Sequence, residues 1–350
     1  MQRYFIFLFI IYIIIYIICC MFYFNNIIEY SCILLVLLYF IYPLNKIEPF
    51  DDDLQDEIDH FFVHPCSGYL LCKHIICTSK DENNYLNRFP NVPNRNNLYT
   101  QNTLNKLRTN DMIFSHTDKY AVNYIINTIL PFIKQHNIKI ILFTGKHELP
   151  QIKKSSLTDQ ILDCDQIILW ISQNPIYVNH PKYFAFPYGF KSDKLKTYYK
   201  YYHKSNVNKT IKVSNMFQES HGHLSNDHIR KKYESILQTK KYNLDKYLQI
   251  LHESEFTIST AGDREDCYRH YESILMNTIP ISNISKDLYK PIFGNNMEFM
   301  TDDALINCIK NEHSCELNYR TPNRKIILLS YWKNQINKRL EQLSLSTFSF

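Results

Sequence analysis

The stretch that most constrains this chain runs from Glu255 to Pro280. Phe256 to Ser259 has the apolar character of a short buried strand, Thr260 to Asp266 is a loop containing a glycine, and Cys267 to Asn277 carries Tyr268, Tyr271, Ile274 and Leu275 at helical spacing. A second short strand, Thr278 to Ser282, follows at once. Strand, helix and strand in immediate succession form a βαβ unit, which commits this part of the chain to a parallel sheet.

Chemistry is expected where the loop enters the helix. The unpaired N–H groups and the dipole of a helix N-terminus favour an anion, and Arg269 in the first turn offers a planar fork for phosphate oxygens. Glu272 lies three residues on, along the same face, where a carboxylate can accept hydrogen bonds from ribose hydroxyls. The spacing Gly262, Asp266, Arg269, Glu272 therefore describes a cradle for a nucleotide diphosphate. An ordinary surface pair between Arg269 and Glu272 is the competing reading.

Those residues carry a resemblance. The run Gly262, Asp266, Arg269, Glu272, followed by Asn277-Thr-Ile-Pro-Ile281, resembles the nucleotide-sugar motif of the exostosin-like glycosyltransferases (GT47-type). Leu169-Trp-Ile-Ser-Gln-Asn174, His180-Pro-Lys182 and Phe186-Pro-Tyr-Gly189 are similar to an earlier segment of the same family. The family usually has proline where Thr260 stands, and glycine is common where Asn277 stands. The resemblance implies the GT-B layout of two facing Rossmann-like domains, and transfer of a sugar from a nucleotide-diphosphate sugar to a glycan or glycoprotein acceptor. It further implies inversion, with no metal and no cofactor beyond the donor. Arg230, on a helix after the first strand of the second domain, becomes a secondary phosphate ligand by the same resemblance, and Ser282 with Asn283 marks where the sugar or base is read.

The chain begins with Tyr4 to Phe24, uncharged and overwhelmingly apolar, long enough at helical rise to cross a bilayer. It reads as a membrane anchor, with a buried core helix as the alternative. A second apolar run, Tyr30 to Leu44, makes either a hairpin or an interfacial segment, and the nearby charges leave a single-pass ER/Golgi-type topology and a hairpin both open. Residues 49–108 read as a stem: polar, asparagine-rich, broken by Pro90 and Pro93. Asp51 to Asp53 is expected to be a solvated acidic run rather than a metal site.

Strands at Met112 to Ser115, Ile138 to Thr144, Gln166 to Ile171 and Tyr183 to Phe186, with helices at Tyr120 to Gln135 and Leu157 to Leu162 between them, predict a first Rossmann-like domain over 109–200. Functional groups of such a sheet collect beyond the C-terminal ends of its strands, where His116 and Asp118 follow the first of these. Either could take the acceptor hydroxyl proton. His116 is also a plausible structural histidine that merely satisfies backbone groups. Lys191 to Lys209 reads as a linker, 209–320 as the donor-side domain with strand Thr210 to Phe217 and helices Asp227 to Gln238 and Leu244 to His252, and 321–350 as a bracing helix with Leu328, Leu329, Trp332, Ile336 and Leu340 on one face.

Several features point away from other classes. Lysine and arginine are dispersed among 39 basic and 34 acidic residues, so composition predicts no nucleic-acid partner. His221, His223 and His228 lack a carboxylate or thiolate at ligand spacing. Cys308 and Cys315 would pair in an oxidising lumen, while free buried cysteines fit equally well. Of the sequons Asn208-Lys-Thr210 and Asn283-Ile-Ser285, the second falls inside the expected site, which leans against a lumenal domain. A membrane-anchored glycan-binding or scaffold protein on the same fold is the alternative from another class, favoured by Thr260 in place of proline.

Overall fold

The structure is a computed structural model describing residues 52–77, 79–89, 96–99, 101–145, 152–204, 207–215, 233, 236, 242–262, 264–310 and 316–343. Both apolar N-terminal runs, Asp51, the three histidines of 221–228, Arg230, most of the helix expected over 227–238, and Cys315 lie outside them. No described helix is long and apolar enough to cross a membrane. Leu54–Phe350 form one compact unit.

That unit holds two all-parallel sheets. The first has β1 (His74–Ile76), β2 (Asn96–Asn97), β3 (Met112–Ser115), β4 (Ile140–Thr144), β5 (Ile167–Ser172) and β6 (Tyr183–Ala185) in the order β2-β1-β3-β4-β5-β6. The second has β7 (Ile211–Asn215), β8 (Ser254–Ile258), β9 (Ile279–Ser282) and β10 (Glu298–Phe299) in the order β10-β9-β8-β7. The α/β class and the paired parallel sheets expected from the strand and helix alternation are therefore present.

β1, β3, β4 and most of β5 are buried on both faces, and their side chains alternate between two cores. Ile113, Leu142 and Trp170 face a cluster with Ile125, Ile129 and Ile133 of the helical run that starts as α3 (Lys119–Tyr124), passes a π-helical turn (Ile125–Ile129) and ends as α4 (Leu130–Gln135). Phe114, Phe143 and Ile171 face the other way, into a cluster that continues to Tyr271, Ile274 and Leu275 of the second half. One core thus runs from the first sheet into the helices of the second half, while Phe256, Ile258, Ile279 and Ile281 of the second sheet face a separate cluster.

Two expectations need correcting. The described residues of 49–108 are not a stem: β1 and β2 join the first sheet, and α1 (Asp52–Phe61) and α2 (Ser67–Leu71) pack into the same core, with Phe62, Val63 and Ile75 fully buried. The two strands are only three and two residues long, too short for a periodic signal. Lys191 to Lys209 is not a solvated linker either. It contains α6 (Leu195–Tyr202), which follows α5 (Ser156–Asp163) in the chain and buries Leu195, Tyr198 and Tyr201. Those three stand at i, i+3, i+6, a helical stripe hidden among lysines.

The join between the halves is tight where Phe186-Pro-Tyr-Gly189 passes. Gly189 has φ +84, and a Cβ there would lie 2.0 Å from the Val63 carbonyl oxygen. Phe190 N–H donates to that same carbonyl at 2.8 Å. Below the second sheet, Lys209 Nζ donates to the carbonyls of His252 and Met276, at the C-terminal ends of α7 (Leu244–Glu253) and α8 (Tyr268–Leu275), both at 2.9 Å. A cation there complements two helix C-termini. Asn277, just past α8, has φ +56, which explains an asparagine where the resembled family commonly has glycine. Alanine in place of Gly189 is expected to cost about 2–4 kcal/mol, since neither the left-handed backbone nor the blocking carbonyl can give way; urea melts of the two proteins measure it, and a loss near zero would show that this crossing is not pinned.

Candidate functional site

The loop between β8 and α8 is held by short-range bonds. Ser259 N–H donates to Ile281 O at 2.9 Å, Ala261 N–H to Asn283 Oδ1 at 3.1 Å and Gly262 N–H to Arg264 O at 2.8 Å. Arg269 reaches back from the first turn of α8, its Nη2 donating to Thr260 O at 2.9 Å. This bond fixes the guanidinium across the loop mouth. Residue Cys267 occupies the N-cap of α8 and makes no side-chain cap bond. Serine, threonine, aspartate or asparagine would ordinarily close a helix there.

Asp266 and Glu272 are placed differently from Arg269. Asp266 is buried, and its Oδ2 accepts from Tyr188 N–H at 2.9 Å and from the Tyr271 hydroxyl at 2.5 Å. Burial pushes this carboxyl up to about 6, against the lowering effects of His270 and its two donors. Glu272 is buried too; its Oε1 accepts from Tyr198 OH at 2.6 Å and its Oε2 from Tyr247 OH at 2.9 Å. Burial again raises its pKa, opposed by the two tyrosine hydroxyls and Arg269. Tyr198 lies on α6 and Tyr247 on α7, so Glu272 ties three helices together. A carboxylate retains further lone pairs, yet neither oxygen of Glu272 is without a protein partner.

At the strand ends the side chains are poorly satisfied. Thr260 Oγ1, Ser282 Oγ, Asp266 Oδ1 and, on the first sheet, Gln173 Oε1 are buried with no hydrogen-bond partner among the described residues. Each such atom costs about 1–3 kcal/mol. Their concentration beyond the C-terminal ends of β5, β8 and β9 marks the region where ligands of open α/β sheets bind. Asn283 extends the row, donating to Asp302 Oδ1 at 2.9 Å, an atom that also accepts from Tyr233 OH at 2.7 Å.

Beyond β3, His116 and Asp118 come together. His116 Nδ1 lies 4.0 Å from Asp118 Oδ2, with the histidine side chain 5% and the aspartate side chain 19% exposed. Asp118 Oδ1 caps α3, accepting from Tyr120 and Ala121 N–H at 3.0 Å each. Asp118 thus has a structural duty at Oδ1, while Oδ2 is the oxygen 4.0 Å from His116 Nδ1. The resembled motif residues of the first domain prove to be struts: Gln173 Nε2 donates to His64 O and Pro187 O, Trp170 Nε1 to Thr144 Oγ1 and Asn174 Nδ2 to Ile152 O.

Sequence reasoning passed over three groups. Tyr198 and Tyr247, which grip Glu272, gave only a helical stripe as signal. Arg264 is buried with its guanidinium 4.3 Å from the centre of the Tyr188 ring, which in turn stacks on Tyr268 at 5.2 Å. Cys267 and His270, at i and i+3 across the first turn of α8, place Sγ 3.5 Å from Nε2. Among the described residues no cluster of three or more histidines, cysteines or carboxylates is arranged to hold a metal ion.

Residues 183–345 match the family described as the RXYLT1 C-terminal domain, a span that contains β6, the second sheet and the terminal helix. No curated protein sequence matches the chain. Among solved structures, the GtfA/B complex is 10% identical with a TM-score of 0.40, over 68% of this chain and 58% of that one. The UDP-forming alpha,alpha-trehalose-phosphate synthase from Burkholderia xenovorans is 9% identical with a TM-score of 0.37, over 70% and 77%. The structure of trehalose-6-phosphate from E. coli bound with UDP-2-fluoro glucose is 11% identical with a TM-score of 0.37, over 71% and 75%. This chain therefore spans little more than half of the first.

The Asp266 carboxyl makes a pH test. Its folded pKa of about 6 lies above the ordinary value of 3.8, so the native state binds the proton first. The penalty on the charged form is complete above that folded value and is relieved as pH falls through it toward the ordinary value. Asp266→Asn keeps the acceptor for Tyr188 and Tyr271 but removes the ionisation. Relative to this variant, the wild type should gain on the order of 2 kcal/mol between about pH 7 and about pH 4; a difference that stays flat across urea melts in that range would contradict a buried, titrating Asp266.

Proposed function

We propose that this protein is a glycosyltransferase of the GT-B type that moves a sugar from a nucleotide-diphosphate sugar to a glycan or protein acceptor, with inversion and without a resident metal. The observation that carries the reading is the uncapped N-terminus of α8 with Arg269 tethered across it to Thr260 O and orphaned hydroxyls on the strand ends beside it. The match of residues 183–345 to the RXYLT1 C-terminal domain, which contains this whole arrangement, supports it.

In this reading the diphosphate lies against the first-turn N–H groups of α8, and Arg269 neutralises the charge that grows on it as the glycosidic bond breaks. Preorganised positive charge at the leaving group is the largest catalytic effect available here. Gly262 lets the loop backbone approach, and Thr260, Ser282 and Asn283 read the donor. Glu272 is given a ribose hydroxyl only through lone pairs that Tyr198 and Tyr247 leave over, so its larger role is to hold α8 in place. Asp266 positions the loop. Arg230 remains a secondary phosphate ligand. His116, with Asp118 beside its Nδ1, takes the acceptor hydroxyl proton. Tyr4 to Phe24 anchors the enzyme to a membrane.

A catalytically silent glycan-binding or scaffold protein is the second reading, favoured by the full engagement of Glu272 by tyrosines. Nucleotide binding separates the two. Thermal shift of the full-length protein against a panel of nucleoside diphosphates should show stabilisation by one of them, lost in Arg269→Ala. The same variant should lose on the order of a hundredfold or more in transfer rate with its melting temperature kept. A well-folded wild type that responds to no nucleotide would shift the assignment to the scaffold, and wild-type turnover by Arg269→Ala would remove Arg269 from the leaving-group role.

A further inference from the structure

Cys267 is set apart from the other free cysteines of the described residues. Cys66, Cys72, Cys77 and Cys164 are buried, whereas Cys267 is partly exposed. Burial pushes the Cys66 thiol up to about 11. Around Cys267 burial pulls the same way, but His270 and Arg269 overturn it and bring the thiol down to about 7. Geometry gives the reason. The sulfur occupies the N-cap of α8, where the helix dipole favours negative charge, and His270 Nε2 lies 3.5 Å away. Ser259 Oγ holds His270 Nδ1 at 2.8 Å, and Glu265 O lies 3.0 Å from Nε2, so the ring is fixed with its Nε2–H toward the sulfur and that carbonyl. Asp266 and Arg269 are the other charged groups acting on the pair, and Cys267 with Asp266 favours the imidazolium against its burial.

We infer that Cys267 is a reactive thiolate, activated by the Ser259-held His270, and that it is a modification site for peroxides and soft electrophiles at the mouth of the β8–α8 loop. With a peroxide the balance closes within the site. The sulfur lone pair attacks one peroxide oxygen, the S–O bond forms as the O–O bond breaks, and the departing hydroxide takes the Nε2 proton of the imidazolium. Thiolate, hydrogen peroxide and imidazolium become sulfenic acid, water and imidazole, with sulfur oxidised by two electrons and peroxide reduced. The consequence for function rests on the proposed diphosphate cradle: an added oxygen or alkyl group beside Thr260 O, which Arg269 and Cys267 Sγ share, crowds the place where the diphosphate would lie.

The test treats the full-length protein with limiting iodoacetamide or hydrogen peroxide over a range of pH and assigns modified cysteines by peptide mass spectrometry, with Cys267→Ser as the assignment control. Cys267 is expected to react first, several-fold faster at neutral pH than the same cysteine in urea-unfolded protein, with a midpoint near 7. His270→Gln should move that midpoint up toward an ordinary thiol; where that variant does not fold, the wild-type midpoint decides. Reaction no faster than in urea, or a midpoint at the ordinary thiol value, overturns the inference. Repeating the labelling with UDP or GDP addresses the cradle separately. Protection supports both readings, while fast labelling that no nucleotide slows keeps the reactive thiol and overturns the diphosphate assignment.

Discussion

The arrangement depends on one buried carboxylate. Asp266 closes the β8–α8 loop and, through Oδ2, takes the backbone N–H of Tyr188 from the other half of the unit, 78 residues earlier in the chain. The Tyr271 hydroxyl donates to the same oxygen and also accepts from Tyr188 N–H, so three polar groups satisfy one another in an apolar surround. A buried charge of this kind is costly to bring in and more costly to orphan. The segment that follows β6 is therefore locked to the start of α8, and the first turn of that helix is positioned by this contact while Glu272 holds the next.

Arg269, Cys267 and His270 lie on the first turn of α8, and Glu272 lies one turn deeper. The two turns have different neighbours. The first turn faces the loop and partly faces solvent, which leaves Arg269 and Cys267 reachable. The second is enclosed by α6 and α7, and there a carboxylate can persist only because Tyr198 and Tyr247 donate to it. One helix thus presents a chemically open end and a structurally committed middle, separated by a single turn.

Much of this architecture was legible from residue order. Short strand-like runs between helical stripes located β3 to β9, most clearly β3, β4, β5 and β9, where strands buried on both faces are apolar nearly throughout. The arginine at the start of α8 could be found from its distance to the glycine loop. What escaped was short or mixed: β1 has three residues, β2 and β10 two each, and α6 carries its buried tyrosines among lysines. Periodicity needs length, and these elements are defined by what they pair with.

The sequence by itself determined the class of fold, the places of the strands from β3 to β9 and the position of a cationic helix start after a glycine-containing loop, since these follow from local spacing and backbone preference. Only the tertiary structure decided which partners the polar groups of this motif take. Asp266, Arg269 and Glu272 look equivalent as a spaced motif, yet Tyr188, Tyr198 and Tyr247, distant in the chain, occupy the carboxylates and leave the guanidinium at the loop mouth. Partner identity across such separations is fixed by packing of the shared core, and no local pattern encodes it.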